Sequence, residues 1–337
     1  MSKGIQRQGE LIASYLEQYP DMKNLTLARI IFGANKGIWK TVEAVRSGIR
    51  ALKGANGQLH RDTITTRQFM VLPKPTPDNK FALPKADEIP WEPYVIPDSC
   101  QKILYLGDTH IPYQNNDAIS IAIQYGLDAG CDSVILGGDV MDCLRVSRFT
   151  KDPNSRDMAG EIEATRHFLG SLRQNAFTDA KIIYKEGNHE ARIPVYGQSQ
   201  APDLFGADMI KSLDEVLELD RLGIKWIDGK RPMYMGKLNI MHGDEYGGRS
   251  GGVNPARAMY LKTKECCICG HWHRTTQYSG KTIRDRIISS WTVGCLCDMH
   301  PDYCPSNDWN RGFATIERDD DDWFIVDNKR IINNKVV

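Results

Sequence analysis

Apolar positions recur at helical intervals through the first sixty residues, whereas from Lys102 onward they gather into short runs separated by longer helical stretches. Ile38, Val42, Val45, Ile49 and Leu52 form one stripe, predicting a helix over 38–52 that stops near Gly54. A shorter helix is expected from Thr26 to Phe32, with Gly33-Ala34-Asn35-Lys36-Gly37 as the turn between the two. Ile5, Leu11, Ile12, Tyr15, Leu16 and Tyr19 suggest an earlier third helix. Two short helices joined by a glycine-containing turn have the outline of a helix-turn-helix.

In the remainder, strands are predicted at Ile103–Leu106, Ser133–Leu136, Lys181–Tyr184, Leu238–Met241 and Glu265–Cys269, and helices at Ala118–Ala129 and Ala159–Asn175. This alternation is that of an α/β fold, in which functional groups collect at the carboxyl ends of strands. Between the two regions, residues 73–97 carry seven prolines, which fix φ and remove backbone donors, so an extended linker is expected there. The organisation read from the pattern is a helical domain over 1–60, a proline-rich linker over 61–98 and an α/β domain over 99–337.

Composition changes this picture only locally. Hydrophobic residues make up 41% of the chain, and 43 basic residues balance 43 acidic ones, so overall charge selects no partner. Residues 1–61 nevertheless hold ten Lys and Arg against four Asp and Glu, the bias that contact with a phosphate backbone requires. Lys40, Arg46 and Arg50 fall off the apolar stripe and are the candidate contacts to DNA or RNA, against the plainer reading of a solvated helix face. An acidic residue, Glu10, precedes any apolar segment, and no later run approaches the roughly 18 apolar residues of a membrane span, so a cytoplasmic protein with no membrane partner is expected. The nine cysteines lack the two C-x2-C pairs of a zinc site and read as free, buried thiols in a reducing compartment.

The five strand ends carry the chemistry: Gly107-Asp108-Thr109-His110, Gly138-Asp139-Val140-Met141-Asp142, Gly187-Asn188-His189-Glu190, His242-Gly243-Asp244 and Gly270-His271-Trp272-His273. Asp, Asn and His supply oxygen and imidazole nitrogen donors suited to divalent first-row cations, and adjacent glycines allow a sharp exit from a strand. Residues i and i+2 just past a strand can address one ion, as Asp108 with His110 and His271 with His273 would, while Asp139 is the natural bridge between two. Two such cations turn a bridging water into hydroxide near neutral pH and place it in line with phosphorus.

This ordered set resembles the calcineurin-like metallophosphoesterase superfamily over about residues 102–316, and nearly the whole chain, loosely at its N-terminus, resembles phage- and prophage-encoded proteins. The resemblance implies a four-layer α-β-β-α sandwich and two divalent cations, with manganese expected first and iron, zinc or nickel as alternatives. It implies that Asp108, His110, Asp139 and His273 hold one metal and Asp139, Asn188, His242 and His271 the other, with His189 as general acid oriented by Asp142. Cys143 stands where the protein phosphatases of that superfamily have a phosphate-gripping arginine, so Arg192, Arg145 and Arg148 are the candidate substitutes. The function expected is a phosphodiesterase acting on DNA or RNA by attack of a metal-bridging hydroxide. Alternatives are a phosphomonoesterase or cyclic-nucleotide phosphodiesterase, or a non-catalytic DNA-binding regulator. The aromatic tail Ser290–Gly312 is expected to close the second sheet, with Tyr303 or Trp309 available to stack on a base.

Overall fold

The computed structural model describes residues 3–53, 75–84, 86, 91–151, 157–206, 211–246, 251–301 and 304–337. The chain divides into two compact units, Met1–Glu88 and Ile89–Val337.

The first unit contains helices α1 (Lys3–Gln18), α2 (Asn24–Ala34) and α3 (Val42–Lys53). Ile12 and Leu16 of α1, Leu27, Ala28 and Ile31 of α2, and Val45 and Ile49 of α3 share one buried cluster with Trp39. The apolar stripe thus predicts the core face correctly but misplaces the start of α3. Thr41 Oγ1 accepts from the Ala44 N–H and caps the helix, so Ile38 packs from the preceding turn rather than from the helix. Arg46 and Arg50 lie on α3 and both pair with Glu43, at 3.4 and 3.3 Å, while Lys40 stands exposed before the helix.

The second unit is built on two sheets. One has the strand order β13 (Lys335–Val336), β12 (Phe324–Ile332), β11 (Arg311–Arg318), β2 (Lys102–Leu106), β3 (Ser133–Leu136), β4 (Lys181–Lys185), β5 (Ile224–Ile227). The other runs β1 (Tyr94–Val95), β6 (Met233–Met235), β7 (Leu238–Ile240), β8 (Cys267–Cys269), β10 (Ile287–Thr292), β9 (Thr276–Lys281). Alternation along each strand decides the layers. On β2, Ile103 and Tyr105 face the second sheet and bury against Ile240, Ile268 and Trp291. Leu104 and Leu106 face the other way, against α4 (Asn116–Asp128) and α5 (Met158–Ser171). The far side of the second sheet, with Cys267 and Cys269, packs on Met259 of α7 (Pro255–Thr263). A further helix, α6 (Arg192–Gln200), follows β4. The layers are therefore helix, sheet, sheet, helix, as expected.

Two expectations are corrected. Tyr94 and Val95 pair in parallel with Met233 and Tyr234, and Ile96 is fully buried between the sheets, so the last residues assigned to the linker belong to the α/β unit. Pro93 and Pro97 flank this edge strand, where no second neighbour requires their missing N–H groups. Half of the expected linker, 61–74, 85 and 87–90, lies outside the described residues. The segment Ser290–Gly312 does not simply close the second sheet: its first residues form the end of β10, and Arg311 and Gly312 open β11 of the first sheet. Among the described residues, no helix is long and apolar enough to cross a membrane.

Candidate metal centre

Register brings the motifs together. Leu106, Leu136 and Tyr184 are aligned across the parallel strands β2, β3 and β4, so the chain leaves all three at one edge, immediately before Asp108, Asp139 and Asn188. Ile240 and Ile268 are likewise aligned on β7 and β8, just before His242 and His271. Asp108, His110, Asp139, His271 and His273 all have positive φ, between 48° and 68°, so they turn off their strands in the left-handed conformation. Gly270 is required for a different reason: a Cβ there would lie 2.2 Å from Asp108 Oδ2.

Asp139 is at the centre. Its Oδ2 lies 3.2 Å from His242 Nε2, 3.7 Å from His189 Nε2 and 4.0 Å from His110 Nε2. His273 Nε2 is 3.3 Å from Asp108 Oδ1 and 3.2 Å from His110 Nε2, and His242 Nε2 is 3.1 Å from Asn188 Oδ1. Asp139, His242 and His271 form one cluster of convergent donor atoms, and Asp108, His110 and Asp139 another. Every residue the sequence nominated as a metal ligand is thus within this one site.

The donor set fits cations. His110 Nδ1 is 3.0 Å from Asp142 Oδ1 and His242 Nδ1 is 2.9 Å from the Gly137 carbonyl, so both Nδ1–H groups are committed as donors. The Nε2 lone pair of His110 then faces Asp139 Oδ2 and His273 Nε2, and that of His242 faces Asp139 Oδ2 and Asn188 Oδ1. Acceptors facing acceptors in a buried space require a positive charge between them, either extra protons or a metal ion. Without metal, protons take that role. Burial opposes charge on His242, but the carboxylate of Asp139 outweighs it and holds the imidazole well above its ordinary range. His273 is likewise pushed up to about 10, burial being overcome by Cys295 and Asp108. His271 goes the other way, down to about 4, through burial and the charge of His242.

The second layer contains groups the sequence reading did not assign. Glu190, fully buried, accepts from the N–H groups of Asp139, Val140, Met141 and Gly187 and from the Tyr184 hydroxyl, at 2.7–3.0 Å. Glu245 accepts from the His242 and Gly243 N–H groups and lies 3.4 Å from the buried ammonium of Lys185. Glu161, on α5, accepts from the Cys143 N–H at 2.6 Å. These carboxylates act on backbone donors in chain reversals, and nothing in residue spacing announces that.

His189 and Asp142 are arranged differently from expectation. The nearer partner of the Asp142 carboxylate is His110, and His189 Nδ1 contacts the Asp142 backbone carbonyl at 2.7 Å, against 3.5 Å to the carboxylate. The carbonyl therefore fixes the ring of His189, while the carboxylate fixes that of His110. Arg192 Nη1 donates to the same carbonyl at 2.8 Å. Its guanidinium and that of Arg148 lie 6.0 and 5.4 Å from the centre of the Phe149 ring, which is 56% exposed. Arg145 is in the short helical turn Leu144–Val146, between Asp142 and Arg148 in the sequence. Trp309 packs edge-on to His273, with ring centres 4.0 Å apart; Tyr303 lies outside the described residues.

Glu161 carries a pH signature. Burial, only partly offset by the Cys143 N–H, raises its carboxyl to about 7. A carboxyl raised on folding stabilises the fold below its unfolded pKa and loses that contribution as pH rises through the folded one, here between about 4.5 and 7. The loss is on the order of 3 kcal/mol. Glu161→Gln keeps the acceptor and removes the titration, so its stability relative to the parent should climb from pH 5 to pH 8 in urea unfolding. Parallel curves for the two proteins over that range would refute the assignment.

No family model matches the chain. Two curated relatives, the Gene 54 proteins of Mycobacterium phage L5 and Mycobacterium phage D29, are 27% and 28% identical over 235 and 236 residues, 65% of this chain and 89% of each relative. Similar solved structures include Vps29 from Entamoeba histolytica complexed with zinc, at a TM-score of 0.36 and 11% identity, and the phosphoesterase YfcE from E. coli, at 0.37 and 13%. Each match covers 70% of this chain and 96% of the other.

Proposed function

We propose that this chain is a metal-dependent phosphoesterase that cleaves phosphodiester bonds in nucleic acid. The observation that carries the reading is the convergence of three imidazole Nε2 atoms on one buried carboxylate oxygen of Asp139, within 4.0 Å. Asp108, His110, Asp139 and His273 would hold one divalent cation and Asp139, Asn188, His242 and His271 a second, and such a pair would supply an activated water and offset the charge of the phosphate. His189, with Nδ1 anchored on the Asp142 carbonyl, turns Nε2 into the site. From there the protonated ring gives its Nε2 proton to the departing ester oxygen and is left neutral. Asp142 orients His110 through its carboxylate and His189 through its carbonyl, and both ring positions depend on it.

Three features favour a nucleic-acid ester over a small phosphomonoester. Arg148 and Arg192 flank an exposed aromatic ring, a combination that can grip a phosphate and stack a base. Arg145 is a third candidate for the phosphate. The helical unit is locally basic, with Lys40, Arg46 and Arg50 as its candidate contacts, although Glu43 offsets two of them. The curated relatives are proteins of mycobacteriophages, an origin that agrees with work on nucleic acid.

The test is an activity panel on purified protein with manganese, nickel, zinc or magnesium: bis-p-nitrophenyl phosphate, p-nitrophenyl phosphate, 2′,3′-cyclic AMP, and single- and double-stranded DNA. Metal-dependent cleavage of the diester and of DNA is expected. Removing residues 1–88 should reduce DNA cleavage by about tenfold or more while sparing the chromogenic diester, because a tethered binding module acts by effective concentration. Monoester turnover alone would leave a phosphatase and dismiss the nucleic-acid substrate.

A further inference from the structure

Beside the expected ligands stands a thiol that the metal reading above does not use. Cys297 is 3% exposed, and its sulfur lies with donor atoms of His110 and His273 in a cluster whose members are all within 4.8 Å of one another. That spacing suits three ligands of a single ion, since zinc bonds of about 2.0–2.1 Å to nitrogen and 2.3 Å to sulfur place donors a few ångströms apart. The sulfur is also held in place. The Leu296 N–H donates to the Asp108 carbonyl at 3.1 Å, the Asn115 N–H to the Leu296 carbonyl at 2.8 Å, and the Asp298 N–H to the Tyr113 carbonyl at 2.8 Å. The segment that bears Cys297 is therefore laced to the very loop that bears Asp108 and His110.

Cys295 has a different place. Its sulfur lies near Met299 Sδ and the Asn310 carbonyl, at 3.9 and 3.8 Å, and it does not join the cluster with His110. Both sulfurs are nevertheless close to His273, that of Cys297 in the cluster with its ring and that of Cys295 near enough to favour its charged form. The Cys297 S–H donates to the Asp298 carbonyl at 3.4 Å, a bond that only the protonated form makes. A cation beside the sulfur reverses that preference, because a coordinating thiol loses its proton to solvent.

We infer that Cys297 is an additional ligand of the metal position formed by Asp108, His110, Asp139 and His273, and that its sulfur biases that position toward zinc and other thiophilic cations over manganese and magnesium. The inference rests on the dimetal reading. Soft sulfur donors favour such ions, whereas an all-oxygen and imidazole set discriminates less. On binding, the Cys297 S–H bond breaks, the proton leaves to solvent and the sulfur lone pair forms the bond to the cation, with no change of oxidation state.

Cobalt(II) titration of the full-length protein tests this without reference to turnover. Expected are two cobalt ions bound per chain and a near-ultraviolet sulfur-to-cobalt charge-transfer band, absent in Cys297→Ser and kept in Cys295→Ser. The zinc-over-manganese preference in competition dialysis should fall by about tenfold or more in Cys297→Ser. Should that variant not fold, X-ray absorption on the zinc-loaded Cys295→Ser protein gives the same answer, through a sulfur scatterer at about 2.3 Å. Two cobalt ions bound with no band, or a band lost only with Cys295, overturns the role of Cys297 and leaves the dimetal reading intact. No cobalt bound at all overturns both.

Discussion

Glu190→Ala is expected to be the most damaging single substitution in the α/β unit, lowering stability by about 4 kcal/mol or more. The carboxylate answers four backbone N–H groups and one phenol, all buried, and each donor left without a partner costs about 1–3 kcal/mol. A loss of that size consumes much of the net stability of an ordinary domain, about 5–15 kcal/mol. Glu190→Gln should fall between parent and alanine, because its amide keeps one acceptor oxygen but turns an NH2 toward N–H groups. Urea unfolding of the three proteins measures the order. A cost below about 1 kcal/mol for the alanine variant would mean that water replaces the carboxylate, and that Glu190 does not set the loop of Asp139.

His189→Ala should leave the fold and the metal content unchanged and slow the cleavage of esters with poor leaving groups by about 10²–10⁴-fold. With p-nitrophenolate, which departs without help, the loss should be under about tenfold. The difference follows from geometry: His189 Nδ1 is tied to the Asp142 carbonyl, so only Nε2 is free to deliver a proton at the site. Rates for alkyl and p-nitrophenyl diesters, measured with metal content determined on the same samples, decide it. An equal loss across leaving groups removes His189 from the acid role and makes it a binding residue.

These two residues differ in how far the sequence announces them. His189 belongs to an ordered set of five polar motifs, each following an apolar run, and that order locates the site before any coordinates. Glu190 is in the same motif, yet three of its five partners are N–H groups of residues 139–141, about fifty positions earlier, and only the register of β3 on β4 brings them within reach. Glu245 with Lys185, and Glu161 with Cys143, went unassigned for the same reason. The helical unit shows the converse limit. Periodicity found its buried face, but Ile38 fits the stripe while belonging to a turn, since a buried position looks alike in sequence whether its backbone is helical or not. The edge strand Tyr94–Val95 was hidden by the prolines around it, which exclude a central strand but not an outer one.

The left-handed backbone at Asp108, His110, Asp139, His271 and His273 has a consequence for how this protein can change over generations. Each such residue opposes its own local preference by about 1–2 kcal/mol, whereas the strands behind them are consistent at every level. Local frustration is therefore built into the positions that bear the chemistry. A population selected only for robust folding should lose these residues first, drifting toward glycine and asparagine there while the sheets stay as they are.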